Sequence, residues 1–352
     1  MSVDTAAGVR FELPAHAAAT APPEERGLSR DQVRLLVADS RRTEHAHFRD
    51  LPLYLRQGDL LVVNTSGTLP AAVDTRRAGR PAVLHFSTEV AANTWLVELR
   101  PADPRATGPL GDATTGDRLP LPDGSVLTLV APHPAAGPRT GSRLWRAERT
   151  GSGPVVTMLQ RHGRPIRYGY VPARWPLRDY QTVFAAHPGS AEMPSAARPF
   201  TADLVARLVA RGVALAPVLL HTGVSSQEAG EAPYAEPYEV TASTAHLVAA
   251  TRAGGGRVVA VGTTVVRALE TVAGESGGVR PGRGWTDLVL GPGRAARLVD
   301  GLVSGLHAPG ASHLQLLEAV VGTGVVQRAY DAAVERGYLW HEFGDSSLLL
   351  RG

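Results

Sequence analysis

The run from Gly254 to Val272, GGGRVVAVGTTVVRALETV, permits few folds, because a turn, a buried strand, a polar strand end and a helix start follow without a break. Gly254, Gly255 and Gly256 punctuate the chain, and Val258, Val259, Ala260 and Val261 form the short apolar run of a strand covered on both faces. The strand is expected to stop at Gly262. Thr263 or Thr264 then caps a helix whose apolar side is Val265, Val266, Ala268, Leu269 and Val272, with Arg267 and Glu270 on its other side. Such a unit belongs to an open α/β sheet, where ligands bind in the crevice beyond the strands' carboxyl ends. Free N–H groups at the helix start favour an anionic group there. The corner from Gly262 to Arg267 is therefore the first candidate binding site. A plain strand-to-helix turn has the same local pattern, and the spaced glycines of a dinucleotide or phosphate-loop fingerprint are missing.

Other segments fit the same architecture. In LPLYLRQGDLLVVN, Gly58-Asp59 makes a turn and Leu60 to Val63 a buried strand ending at Asn64, a candidate ligand contact. VALAPVLLHTG reads as a second buried strand with His221 and Thr222 at its end. Helices are expected from about Ala202 to Arg211, around Ser243 to Arg252, and near Val325 to Arg336, with a strand at Trp285 to Leu290. From about Thr68 to Val155 the texture changes to short alternating segments, AVLHF, TWLVELR, VLTLV and RLWRAER, separated by Gly, Pro and Asp. That spacing suggests a small β-barrel. The expected architecture is a discontinuous layered α/β domain, residues 1–67 and 156–352, interrupted by an inserted β-barrel domain, residues 68–155.

Composition narrows the chemistry. With no Cys, the chain has no disulfides, thiolate metal sites or cysteine nucleophile. All 36 basic side chains are Arg, so lysine Schiff-base chemistry is excluded too. No apolar run approaches the roughly 20 residues of a membrane span, and the N-terminus does not resemble a secretory signal, so a cytoplasmic location and no membrane partner are expected. A formal net charge of +3 is slight over 352 residues; it permits nucleic-acid binding without indicating it. No His and carboxylate grouping has metal-ligand spacing, so no metal is expected.

The landmarks GDLLVVN (58–64), DYQTVFA (179–185), AVGTTVVRALE (260–270), Thr286-Asp287, Pro292-Gly293, Asp300, LHAP (306–309) and FGDSSLL (343–349) occur in a specific order. In this the chain resembles the S-adenosylmethionine:tRNA ribosyltransferase-isomerase family of queuosine biosynthesis, over nearly its whole length. The resemblance implies an α/β domain interrupted by a barrel, and S-adenosylmethionine consumed as a ribosyl donor. In the implied reaction the sulfonium acidifies the neighbouring 5′ carbon and a base removes a proton there. Adenine leaves as the sugar opens, and an amine, in the family a tRNA-borne 7-aminomethyl-7-deazaguanine, attacks with eventual loss of methionine.

The chain also departs from the family pattern. Asp-Thr-Arg after the Asn is replaced by Thr65, Ser66 and Gly67, and Gly-Leu-His-Phe-Thr by Ala197, Arg198, Pro199, Phe200 and Thr201, so an imidazole has become proline. Gly-Thr-Phe is not matched after His221 and Gly223, and the His-rich approach to Glu-x-Tyr reads EAPYAEPYEV. These losses describe a divergent paralogue and make a small-molecule acceptor, or S-adenosylmethionine itself, the expected partner in preference to tRNA. The alternatives are authentic tRNA ribosyl transfer and a noncatalytic binder of an adenosyl ligand. Gly262, Thr263, Thr264, Arg267 and Asn64 are the expected cofactor contacts, with Tyr168, beside Tyr170 and Phe184, available to stack on adenine. His307, Asp345, Tyr238, His221 and Glu236 are the acid/base candidates, His307 as the base and Asp345 as the group that orients it.

Overall fold

The computed structural model describes residues 8–103, 108–134, 142–224 and 234–352. The chain opens with β1 (Arg34–Ala38), β2 (Thr43–His47), β3 (Leu60–Asn64) and the short β4 (Ser66–Thr68). Six strands follow: β5 (Ala72–Arg77), β6 (Arg80–Ala91), β7 (Thr94–Pro101), β8 (Arg118–Pro120), β9 (Val126–His133) and β10 (Leu144–Thr150). Next come α1 (Val155–His162), β11 (His187–Ser190), α2 (Ala202–Ala210), β12 (Ala214–Leu220), β13 (Glu236–Val240) and α3 (Ala242–Ala253). The last elements are β14 (Val258–Val261), α4 (Thr263–Thr271), β15 (Gly282–Thr286), β16 (Gly301–Gly305), α5 (Ser312–Val321), α6 (Thr323–Glu335) and β17 (Ser346–Leu350). No helix among the described residues is long and apolar enough to cross a membrane.

The larger sheet has the order β15-β13-β12-β3-β14-β16-β17-β1-β2. Its centre, β12-β3-β14-β16, is parallel, so four strands end along one edge. Covalently distant pieces meet here, because β17 is inserted between β16 and β1. The apolar runs behave as two-sided strands must. Leu60, Val62, Val258 and Ala260 face a core shared with Val265, Leu269, Leu317 and Val326 of α4, α5 and α6. Leu61, Val63, Val259 and Val261 face the opposite layer, with Phe48, Phe200, Leu204 and Leu208. Every one of these side chains is almost fully withdrawn from water, at about 25 cal/mol per Å² of apolar surface.

The inserted strands form an antiparallel sheet, β5-β6-β7-β10-β9-β8, curled into a nearly closed barrel. Thr75 of β5 donates its hydroxyl to the Pro120 carbonyl of β8 at 2.8 Å, joining the two end strands. Its core holds Phe86 packed edge-on against Trp95, with Leu84, Leu119, Leu127 and Trp145. Val155, Met158 and Leu159 of α1 pack into the same core. The mixed α/β architecture with an inserted barrel agrees with the sequence expectation.

Two local expectations fail. The strand expected at Trp285 to Leu290 runs instead over Gly282–Thr286, so that only Trp285 and Thr286 of the expected stretch belong to it. The buried Arg267 guanidinium takes the carbonyls of Thr286 at 2.9 Å and Leu288 at 3.2 Å, which removes this segment from any ladder. Neither Thr263 nor Thr264 caps α4. Gly262 is the N-cap, at φ 96° and ψ 156°, and its carbonyl accepts from Val265 and Val266. A side chain is strained at that φ, and a Cβ there would meet Ala196 Cβ at 3.3 Å, so glycine suits the tight strand-to-helix turn.

Candidate active site

Beyond the carboxyl ends of the parallel strands lies a cavity of about 440 Å³, within the range of about 300–1,000 Å³ usual for small-molecule sites. Its floor is the turn from β14 into α4, with Gly262, Thr263, Thr264 and Arg267. Ser304 and Gly305 of β16 and His307 and His313 beyond it form one side. Ser87, Thr88 and Leu96 of the barrel contribute the facing wall, and the loops carrying Tyr168, Tyr170, Glu192, His341 and Glu342 complete it. The site thus lies where the sheet's strand ends meet the barrel, as expected for an open α/β sheet.

Of the residues expected from sequence, Gly262, Thr263, Thr264, Arg267, Tyr168, Tyr170, Glu236 and His307 line this cavity. Thr264 is held in place by Asn64, whose Nδ2 donates to its hydroxyl oxygen at 3.3 Å. Arg267 faces the cavity but is not a free clamp. It pairs with Glu236 and donates to the carbonyls of Leu288, Tyr234 and Thr286. Burial raises the Glu236 carboxyl above the ordinary carboxylate value, against the opposing pull of Arg267. The Tyr168 hydroxyl donates to Glu192, and its ring stacks on Tyr170 with centroids 6.0 Å apart.

The other expected residues have structural work elsewhere. Asn64 is fully buried and is not a cavity contact. Its Oδ1 accepts from Ser66 and Leu220 N–H and its Nδ2 donates to the Leu220 carbonyl, so it ties the ends of β3 and β12 together. His221 Nδ1 lies 2.7 Å from the Ser66 hydroxyl, which lies 2.5 Å from that of Ser190, and its ring lies so close to Gly189 that a Cβ there would approach within 2.4 Å. Tyr238 sits on β13 with its hydroxyl against Gly282. Asp345 accepts from Arg34 N and Nε at 2.8 and 3.0 Å and from Leu339 N at 2.8 Å, fixing the start of β1 to the approach to β17. The pairing of Asp345 with His307 is therefore absent, because both carboxylate oxygens are committed to β1 and the Leu339 backbone. Phe184 is likewise a packing residue, against Phe200.

His307 instead has Ser304 and His313 as neighbours. Its Nε2 is 2.9 Å from the Ser304 hydroxyl, and its ring lies parallel to His313 with centroids 4.6 Å apart. Its backbone is fixed by the Tyr330 hydroxyl on its N–H and by Trp340 Nε1 on its carbonyl. Burial, then His313 and His341, holds the His307 imidazole well below the usual histidine value, and burial brings His313 down to about 4. Both rings are thus neutral at pH 7, and a neutral imidazole has a lone pair able to accept a proton.

Several wall residues were not anticipated. Ser304, His313, Glu192, His341 and Glu342 all line the cavity. His341 adopts φ 73°, a left-handed conformation uncommon for a non-glycine residue, and stacks on Tyr170 at 4.1 Å and 14°. Tyr170 donates its hydroxyl to Glu342 at 2.6 Å across 172 residues of chain. The one available signal was adjacency, since His341-Glu342 immediately precedes the FGDSSLL landmark.

Thr264 supplies the most direct test of the floor. Thr264→Val removes the hydroxyl while keeping the side-chain shape, and should weaken S-adenosylmethionine binding by roughly 1–2 kcal/mol, the scale of one lost polar contact. Titration calorimetry reads this. Unchanged affinity would move the ligand away from the start of α4.

Comparison with known proteins places these features in context. Residues 7–349 match the model of a family described as queuosine biosynthesis protein. A protein of Desulforamulus reducens named S-adenosylmethionine:tRNA ribosyltransferase-isomerase is 34% identical, the match covering 97% of this chain and 98% of the relative. One of the same name from Symbiobacterium thermophilum is 36% identical over the same shares. The crystal structure of S-adenosylmethionine tRNA ribosyltransferase from Thermotoga maritima superposes with a TM-score of 0.52 at 28% identity, covering 97% of this chain and 99% of that one.

Proposed function

Because the chain belongs to the queuosine biosynthesis protein family, we propose that it transfers the ribosyl part of S-adenosylmethionine to an amine carried by tRNA, releasing adenine and methionine. The observation that carries this reading is the cavity at the strand ends, lined by a helix start, paired aromatics and two stacked histidines, in a chain matched over 97% of its length by a relative of that activity's name. The relatives' names favour tRNA over the small-molecule acceptor expected from the lost polar residues. Those losses, Pro199 among them, bear on how the acceptor is held.

In this reading the open end of the cavity admits the acceptor, and the start of α4 receives the anionic end of S-adenosylmethionine through its free N–H groups and the Thr263 and Thr264 hydroxyls. Arg267 contributes indirectly, by fixing Glu236 and the strand-less segment after Thr286. Neutral His307 takes the proton made acidic by the sulfonium. Tyr168 and Tyr170 offer flat surfaces to the adenine.

The deciding experiment supplies S-adenosylmethionine with tRNA bearing 7-aminomethyl-7-deazaguanine, with the same tRNA lacking the modification, or alone. Adenine and methionine should appear together only in the first mixture, with mass added to the tRNA. Equal adenine release without tRNA would replace this reading by cleavage of S-adenosylmethionine itself, and no release from any mixture would end it.

A further inference from the structure

Among the described residues, most carboxylates withdrawn from water have a cation or several backbone N–H groups beside them, while Glu318, away from the cavity, is held by the Val9 N–H and the Thr323 hydroxyl. Glu236 has Arg267, Glu98 has Arg100 and Arg143, Asp59 has Arg257, and Asp345 has Arg34. Glu270 is satisfied by the backbone N–H groups of Arg297, Leu298 and Val299. Glu342 differs. Its side-chain partner is the neutral hydroxyl of Tyr170, at 2.6 Å on Oε2, and among the described residues no Arg or His pairs with it. A carboxylate so placed is costly to charge without a cation nearby. Burial accordingly raises it above the ordinary carboxylate value, the Tyr170 hydrogen bond opposing the shift.

Its surroundings are arranged and not incidental. Tyr170 holds one oxygen, and the same Tyr170 ring is stacked on His341, whose left-handed backbone sets the direction in which the chain enters Glu342. Backbone strain of this kind persists only where surrounding contacts over-determine it. The neighbouring backbone also approaches the His307 loop, through His341 N–H to the Leu306 carbonyl and Trp340 Nε1 to the His307 carbonyl. Glu342 therefore lies on the wall beside the loop that carries the proton acceptor, where the reacting atoms must come.

We propose that Glu342 is the counter-ion for a cationic group of the bound substrates, a sulfonium or an ammonium, which completes the ion pair the protein leaves open. The proposal rests on the function put forward above, and there two sources supply the charge: S-adenosylmethionine, through its sulfonium or its amino-acid ammonium, and the acceptor, through its protonated amine. Tyr170 is then a positioning residue. It holds the carboxylate by a neutral hydrogen bond until the ligand arrives, and the aromatic faces of Tyr170 and His341 add a surface that a cation or flat base can lie against.

Glu342→Gln tests this, because the amide keeps an acceptor for the Tyr170 hydroxyl and loses only the charge. Binding of S-adenosylmethionine and of methylthioadenosine, which lacks both cationic groups, is measured by calorimetry, and the KM for tRNA bearing the 7-aminomethyl base by adenine release. A loss of roughly 10- to 100-fold for S-adenosylmethionine, with methylthioadenosine unchanged, assigns the charge to the donor. A comparable rise in the KM for tRNA, with donor binding unchanged, assigns it to the acceptor. No change in either substrate, or equal losses for S-adenosylmethionine and methylthioadenosine, overturns the proposal. Should the Gln variant melt well below the wild type, Glu342→Ala repeats the comparison, since selectivity between charged and neutral ligands is the readout. Wild-type protein that binds neither substrate would remove the proposed function and this inference together, whereas normal wild-type binding with an indifferent Gln variant removes this inference alone.

Discussion

His307→Ala is expected to slow adenine release from S-adenosylmethionine by roughly 10²–10⁴, the usual worth of general-base catalysis, while leaving the affinity for the co-substrate within a few-fold of the wild type. The imidazole is held by Ser304 and stacked on His313, and its backbone is pinned at both N–H and carbonyl, so the ring is positioned before any ligand arrives. Its pKa is depressed by burial and by the neighbouring His313 and His341. A base with a depressed pKa stays unprotonated further into acid, so the acid limb of kcat should fall well below pH 6.5 and disappear in the alanine variant. Single-turnover adenine release across pH checks both points. A rate unchanged in His307→Ala, or an acid limb retained in it, would assign proton removal to another group.

Arg267→Met is expected to cost about 3–5 kcal/mol of stability, the range found when one partner of a buried ion pair is removed. The substitution keeps length and apolar bulk. It leaves Glu236 facing the cavity without its cation and strips donors from the carbonyls of Tyr234, Thr286 and Leu288. The thermal midpoint should drop by several degrees, and Glu236→Gln introduced together with Arg267→Met should recover part of the loss, since the two residues share one interaction. A midpoint equal to that of the wild type would mean that Arg267 is free to serve a ligand, as a carboxylate clamp must be. The sequence could not separate these roles, because an arginine on a helix start looks the same whether its partner is a substrate or a glutamate 31 positions away.

The same ambiguity explains which parts of the molecule were legible. The alternation of Leu60 to Val63 and Val258 to Val261 between two cores follows from unbroken apolar runs, which no one-sided strand would carry. The barrel was visible because a change in texture spans some eighty residues, a signal averaged over many side chains. Polar residues at strand ends gave no such average. Asn64 could have met a ligand or another strand, and the approach of Leu220, 156 residues later, decided for the strand. Asp345 was assigned to a histidine on the strength of two shared landmarks, yet a carboxylate has few oxygens to give and Arg34 and Leu339 take them. The turn at Gly262 is illegible for a different reason. Threonine is a good cap, but the backbone after β14 turns through a positive φ that leaves the capping place to glycine. Glu342 stayed invisible because its meaning depends on the absence of a cation, which a linear pattern does not encode.

The cavity wall is shared by Ser87, Thr88, Leu96 and Leu144 of the barrel and by Gly262 to Arg267, Leu288 to Leu290, Ser304 to His307 and His341-Glu342 of the layered domain. A molecule lying between the two units therefore touches both. Such a ligand acts as mortar. A ligand that touches both adds to their cohesion by an amount set by its concentration, about 2.7 kcal/mol at a hundred times its dissociation constant. On the function proposed above, protein saturated with S-adenosylmethionine is therefore a more firmly joined object than the free protein, and its resistance to proteolysis and heat is expected to rise with the concentration of that metabolite.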